Sequence, residues 1–377
     1  MDKYQIHKFS KKLLQKSVFP HLEKYLKCDF GNCNLAPISI NLDLTTACNY
    51  QCPHCIDKDI INTGEILDFK YVKTLVGKWA ENGLKSVILI GGGEPTLYPY
   101  FEEAVKFLKS LNLQLGIVTN GTKNKKIENI CDLLNEKDWI RLSLDVANNE
   151  TFQKFHCPKI STNLKEILES TKKIHEKNPK LQIGYSFLIV GSDKYVGSVQ
   201  LPNNIKEISQ AVRLAKENGF SYFSVKPFIN PEGTRATEMI AKDLEEIKEQ
   251  IKKARALEDE NFKVIESVNL LCFYDEDLKK TMQNQPKICH VQFFRLVVTP
   301  AGIFQCSLWR GFDNAKIIDT NQEITDSYYQ KLCQNRMKMI NNFNAKEICK
   351  NVNCLYAPLN YWIEGLKPID DFGDYFL

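Results

Sequence analysis

Apolar positions in this chain fall into two rhythms that alternate between residues 38 and 258. Short runs rich in β-branched and aromatic residues have the length and composition of buried strands. They are 38–45 (ISINLDLT), 86–91 (SVILIG), 114–119 (QLGIVT), 139–145 (WIRLSLD), 182–190 (QIGYSFLIV) and 221–227 (SYFSVKP). Between them lie stretches of helical length at 68–82, 99–111, 125–136, 163–177 and 203–218. A last one, at about 237–257, sets Ile240, Leu244, Ile247, Ile251 and Ala254 on one face. Six strand–helix units in series predict an α/β fold, a parallel sheet with helices outside. Ahead of them, Phe9, Leu13, Leu14 and Val18 have helical spacing, resumed by Leu22, Tyr25 and Leu26 after Pro20.

Beyond residue 258 the rhythm changes. A short strand, FKVIES, is followed by a polar stretch and then a hairpin, with strands near 292–298 and 303–307 turning at Thr299-Pro300-Ala301-Gly302. The division expected is a helical extension over 1–37, an α/β body over 38–258 and a small α+β unit over 259–377.

Composition narrows the function classes. At 377 residues, two domains are the better prior, and a hydrophobic fraction of 43% is enough for real cores. No apolar run approaches the roughly 18 residues of a membrane span. The basic N-terminus, MDKYQIHKFSKKLLQK, lacks a following apolar core and cleavage site, so no signal peptide is expected and a cytoplasmic location is. A net charge of +4 gives no ground for a nucleic-acid groove. Thirteen cysteines, many in short clusters, point to metal-bound thiolates in a reducing compartment rather than disulfides.

The chemistry gathers in 41–56, NLDLTTACNYQCPHCI, where Cys48, Cys52 and Cys55 are spaced C-x3-C-x2-C at the end of the first strand. Three close thiols suit a soft metal site with one position left unfilled by protein. A cubane iron–sulfur cluster normally takes four thiolates, so three leave one iron open. Spacing alone does not separate this from zinc. A second motif, Gly91-Gly92-Gly93-Glu94, follows the second strand, where glycines let the backbone approach a ligand closely. Cys28 and Cys33 form a further pair, read as ordinary cysteines, as are Cys131, Cys157, Cys272 and Cys333.

The cysteine triplet and the glycine–glutamate turn, in this order and at this separation, resemble the radical S-adenosylmethionine (SAM) enzymes. Their signature is C-x3-C-x-aromatic-C, and His54 fills the ring position. The resemblance implies a partial (β/α)6 TIM-like barrel with its chemistry at the carboxyl ends of the strands. It implies a [4Fe–4S] cluster on Cys48, Cys52 and Cys55 whose open iron is chelated by SAM. Reductive cleavage would give a 5′-deoxyadenosyl radical that takes a hydrogen from the substrate. Gly92, Gly93 and Glu94 match the turn that meets the SAM amino group. Thr119 and Ser143 match positions that hold its carboxylate or ribose. Asp145 would act on ribose or substrate, Ile189 with its apolar neighbours would floor the adenine, and Lys226 would face the SAM carboxylate or an anionic substrate. Arg235 is a lesser candidate cation.

In the tail, Cys289 and Cys306 bracket the hairpin, and Cys349 and Cys354 form a C-x4-C pair. This resembles the twitch module, the short relative of the SPASM domain, and implies one auxiliary [4Fe–4S] cluster; zinc is the alternative. Trp309, Arg310 and the acidic Asp370-Asp371 are open candidates for a role on the substrate radical.

A flavodoxin or ferredoxin reductant follows from the same resemblance. The 37-residue extension is short for a leader-peptide-binding unit. The expected substrate is therefore a small polar molecule (a sugar, aminocyclitol or nucleotide-linked sugar) undergoing oxidation, epimerisation or elimination. The alternative is a maturase of a ribosomally made peptide. A non-catalytic iron–sulfur or zinc redox protein is the alternative of another class.

Overall fold

The computed structural model describes residues 8–27, 35–232 and 241–366. Cys28, Cys33, Arg235 and Asp370-Asp371 lie outside the described residues.

Strands and helices alternate as the pattern predicts. β1 (Ser39–Leu42), β2 (Ser86–Leu89), β3 (Gln114–Thr119), β4 (Trp139–Ser143) and β5 (Gln182–Ile189) are joined by helices. A short hairpin, β6 (Tyr195–Val196) and β7 (Val199–Gln200), precedes β8 (Tyr222–Pro227). β1, β2, β3, β4, β5 and β8 lie side by side and parallel, giving the partial barrel. Helices between them bury one face each, as at Val72, Leu75, Val76 and Trp79 of helix Phe69–Glu81.

The sheet does not stop at residue 258. β9 (Lys263–Glu266) extends it in parallel beside β8. At the other edge β10 (Arg295–Thr299) pairs in parallel with β1, in register from Ser39↔Arg295 to Leu42↔Val298. β11 (Gly302–Phe304) and β12 (Lys316–Ile318) follow antiparallel, completing a ten-stranded sheet. The tail hairpin thus covers the edge strand β1, whose unpaired N–H and C=O groups would otherwise face solvent. No pattern in the sequence signals that a hairpin so distant pairs with β1.

Alternation along the strands sorts the two sheet faces. Ile140, Leu142, Ile183, Tyr185, Phe187, Phe223 and Val225 are fully buried in the main core. Their neighbours, including Arg141, Ser143, Leu188 and Lys226, keep partial exposure on the inner face of the barrel. A second core joins Leu13, Leu22 and Tyr25 of the N-terminal helices to Phe293, Met337 and Ile363 of the tail. The Tyr25 hydroxyl and His290 Nδ1 lie 2.6 Å apart within it.

Candidate active site

The loop after β1 carries Cys48, Cys52 and Cys55, all partly buried. Its shape is set locally: Asn62 Oδ1 accepts from the Cys48 N–H at 2.8 Å, and the Cys55 N–H donates to the Cys52 carbonyl at 3.1 Å. Burial raises the Cys48 and Cys52 thiols above their ordinary range, and burial with the nearby Asp57 raises Cys55 to about 12. Thiols so placed are poor anions unless a metal supplies positive charge, which suits a loop built to be metallated.

The glycine turn presses on this loop. Gly91 and Gly92 both have φ +63°, a region closed to most side chains. A Cβ on Gly93 would collide with the carbonyls of Thr45 and Ala47, and the Glu94 N–H donates to Ala47 O at 2.8 Å. Glu94 is buried and its carboxylate is fully used. Oε1 accepts from the Thr96 N–H (3.0 Å), the Thr96 hydroxyl (2.6 Å) and the Thr119 hydroxyl (2.7 Å), while Oε2 accepts from the Asn120 N–H (2.7 Å). Glu94 and Thr119 therefore clamp the turn to the end of β3. Their side chains face each other, so any ligand contact at the turn falls to the backbone of Gly92 and Gly93.

Asp145 follows β4 with φ +59°, and Oδ1 accepts from the Leu188 N–H at 2.6 Å. Burial raises its carboxyl to about 7, against the pull of that N–H and of Lys226. His54 Nε2 and His156 Nε2 stand 3.9 and 3.8 Å from Asp145 Oδ2. His54 also packs on Phe155, ring centroids 4.1 Å apart, and burial pushes its imidazole well below the usual range. His156, which the sequence gave no reason to select, has Nε2 2.7 Å from Leu144 O and Nδ1 3.4 Å from Cys52 Sγ. With Leu144 O as acceptor, Nε2 carries the proton and Nδ1 faces the cysteine.

Ser143 and Lys226 reach the barrel interior, and Lys226 donates to Ser186 Oγ at 3.2 Å. Ile189 does not. It is fully buried on the helix-facing side of β5, because the strand's period of two turns it away from the lumen. Leu188, its partly exposed neighbour, is the apolar side chain on the inner face.

The tail contributes a residue to this site. Arg310, four residues after Cys306, lies buried over the glycine turn and donates to Asp43 Oδ2 and Asp57 Oδ2, each at 2.6 Å. A Cβ on Gly91 would collide with its guanidinium, and the Gly92 N–H donates to Asp57 at 3.3 Å. Asp43 and Asp57 were not legible as partners, although Asp57 sits two residues after Cys55.

The four tail cysteines line one cavity of about 280 Å³, shared with Gln305 and Trp309. Burial, then the neighbouring thiols, raises Cys289. Burial also raises Cys349 to about 11 and Cys354 to about 12. The Gln305 amide is buried without a hydrogen-bond partner, leaving a donor for a bound anionic group, while the Trp309 indole N–H faces the Cys349 sulfur and opposes the rise of its thiol. A zinc ion bound at about 2.3 Å per sulfur would hold its thiolates roughly 3.8 Å apart. Among the described residues, only Cys52, His54 and His156 bring three ligand atoms within 4.8 Å of one another. The wider spread of the tail thiols fits a multi-iron cluster better than one ion.

Comparison with known proteins agrees with this geometry. Residues 42–195 match the Radical SAM superfamily model. An S-adenosylmethionine-dependent nucleotide dehydratase of Flammeovirga pacifica is 32% identical over 212 residues, covering 52% of this chain and 65% of the relative. A Bacillus subtilis protein named for peptide biosynthesis, YydG, is 26% identical over 193 residues, covering 50% of this chain and 55% of the relative. The matched segments thus span less than two thirds of either relative. Among solved structures, Streptococcus suis SuiB bound to its precursor peptide SuiA superposes with a TM-score of 0.58 at 17% identity, covering 84% of this chain and 69% of SuiB. The cysteine loop, the glycine turn and the barrel lie in or around the matched segment, so residues 42–195 of this chain carry a Radical SAM domain.

Proposed function

We propose that the chain modifies a ribosomally made peptide by removing a hydrogen from one of its residues. The observation that carries this reading is the likeness to SuiB, which extends over 84% of the chain, well beyond the matched domain. YydG, named for peptide biosynthesis, supports it. The expectation of a small polar substrate rested on the length of the segment ahead of the barrel, which carries no weight if leader recognition is supplied by a separate partner.

Cys48, Cys52 and Cys55 would hold a [4Fe–4S] cluster, and the backbone of Gly92 and Gly93 would meet SAM. When bound, cluster and SAM supply one-electron cleavage of the sulfonium and abstraction of a substrate hydrogen. Glu94 and Thr119 fix the turn, the buried His54–Phe155 contact excludes water beside the cysteine loop, and Asp145 and Lys226 offer a proton acceptor and a cation to the lumen. Cys289, Cys306, Cys349 and Cys354 would hold an auxiliary cluster, whose potential, anywhere from about −700 to +450 mV, would suit an electron acceptor or relay. A flavodoxin or ferredoxin would supply the reducing electron.

The second reading, dehydration of a nucleotide, is favoured by the 32% identity to the dehydratase of Flammeovirga pacifica. Anaerobically reconstituted protein with SAM and reductant would be offered short peptides encoded beside its gene, and separately nucleoside triphosphates. Formation of 5′-deoxyadenosine above background, with a mass change in a peptide, is expected. Stimulation by a nucleoside triphosphate with no change in any peptide would replace this reading with the second. Absence of SAM cleavage under all conditions would leave a non-catalytic redox protein.

A further inference from the structure

The inner face of the barrel between β4, β5 and β8 carries two cations that form no ion pair among the described residues. Arg141 forms no ion pair among the described residues; its Nε is buried without a hydrogen-bond partner, and its guanidinium lies over Trp139, 5.5 Å from the ring centroid. Lys226 is within 4.0 Å of no described carboxylate, and its hydrogen bond is to Ser186. Burial, then the like charge of Arg141, lowers the Lys226 ammonium to about 7, and the pull of Asp145 is weaker than that push.

Register puts these groups on one wall. Ser143 pairs with Ser186, and Ser186 with Ser224, forming a hydroxyl row across three strands. Lys226 stands one inward position above that row. Arg141 stands one below, about 6.6 Å towards the amino end of β4. The floor is aromatic. Trp139 occupies the space over Gly116, and Tyr222 the space over Gly184, where an added Cβ would collide with each ring. Two cations in a half-buried chamber, neither within ion-pair distance of a described carboxylate and Lys226 only partly offset by Asp145, are costly unless an anion joins them.

We infer that Arg141 and Lys226, with the hydroxyls of Ser186 and Ser224, form a subsite for an anionic group of the substrate, a carboxylate or a phosphate. Arg141 and the hydroxyl row lie nearer the amino ends of the strands than the glycine turn and the cysteine loop, while Lys226 stands level with Leu188, whose N–H donates to Asp145. A group anchored there leaves the rest of the substrate extending towards the cluster end. The inference rests on the barrel being the reaction chamber. Its test reads binding without turnover, so its failure is separate from failure of the peptide reading.

The probes are glutarate and inorganic pyrophosphate, titrated by equilibrium dialysis into reconstituted full-length protein saturated with SAM. Saturable one-to-one binding of at least one probe is expected. Arg141→Met and Lys226→Met should each weaken it tenfold or more, Arg141→Lys should restore part of it, and SAM affinity should change less than twofold. Preference for glutarate assigns a carboxylate, as on an acidic peptide; preference for pyrophosphate assigns a phosphorylated substrate. No saturable binding to the unaltered protein would overturn the inference, as would probe binding indifferent to both substitutions. Loss of SAM affinity in parallel with probe affinity would assign the cations to the SAM carboxylate instead. If Arg141→Met does not fold, Lys226→Met and Ser186→Ala carry the same comparison.

Discussion

Arg310 of the tail and Asp43 at the end of β1 form a buried ion pair at 2.6 Å, 267 residues apart in sequence. The same guanidinium reaches Asp57, so one side chain ties the Cys306 segment to the loop of Cys48, Cys52 and Cys55. Asp43 is completely buried, and burial raises its carboxyl to about 7 although Arg310 opposes the shift.

Removing one partner of this pair strands the other. Arg310→Met is expected to destabilise the protein by about 3–5 kcal/mol, because Asp43 would remain buried without its cation. The double variant Arg310→Met/Asp43→Asn should recover a large part of that loss. Urea unfolding of the metal-free protein measures both. Equal destabilisation in the single and double variants would mean that the pair is not the source.

Glu94 makes the second structural prediction. All four of its hydrogen bonds come from donors, so Glu94→Gln turns an amide N–H2 towards groups that can only donate or already donate. With charge-assisted bonds worth about 1.5–3 kcal/mol each in net terms, a loss of at least about 2 kcal/mol is expected. SAM affinity should fall as well, since the clamp sets the backbone of Gly92 and Gly93. A variant with native thermal stability and native SAM affinity would remove Glu94 from this role.

How far the sequence could be read follows from these residues. The barrel strands were legible because each is a short apolar run between helices of clear period, and Cys48, Cys52, Cys55 and the glycine turn because their spacing is local. Ile189 was misread because the apolar run that ends the strand, FLIV, does not disclose which alternate residues face the lumen. His156 carries no local signal, and Arg310, a candidate for a role on the substrate radical, gave no sign of its carboxylate partners: each gains meaning only when the chain brings it to Cys52 or to Asp43. The pairing of β10 with β1 was hidden for the same reason, since register between segments some 250 residues apart leaves no periodic trace.

Asp145 predicts a pH dependence. Its carboxyl titrates near 7 in the folded chain, against roughly 3.9 when unfolded. Between those values the folded state holds a proton that the unfolded state lacks. The stabilisation linked to that proton is therefore fully present below pH about 4 and is lost as pH rises through about 7, by at most roughly 4 kcal/mol. Asp145→Asn has no such proton. The stability difference between the two proteins, measured by urea unfolding of metal-free samples at several pH values from 4.5 to 8, should move against the unaltered protein as pH rises. Parallel curves would show that Asp145 ionises as an ordinary carboxyl.

The tail cysteines decide how many clusters the protein holds. Cys289, Cys306, Cys349 and Cys354 line one cavity with Trp309 and the unpartnered Gln305 amide, and no three of their sulfurs gather at single-ion distance. Two four-iron clusters require about eight irons per chain after anaerobic reconstitution. Cys349→Ala/Cys354→Ala should lower this to about four while preserving an EPR signal that changes on SAM addition. Cys48→Ala/Cys52→Ala/Cys55→Ala should also leave about four, with a signal indifferent to SAM. These variants dissect the sites without turnover, so neither outcome depends on knowing the substrate. About four irons in the unaltered protein, falling to none in the triple variant, would remove the auxiliary cluster, and zinc bound to the tail would then account for the quartet. A cluster lost from both sites in either variant would mean that the loops fold together, and the Arg310 bridge between Asp43 and Asp57 is the contact that would transmit the loss.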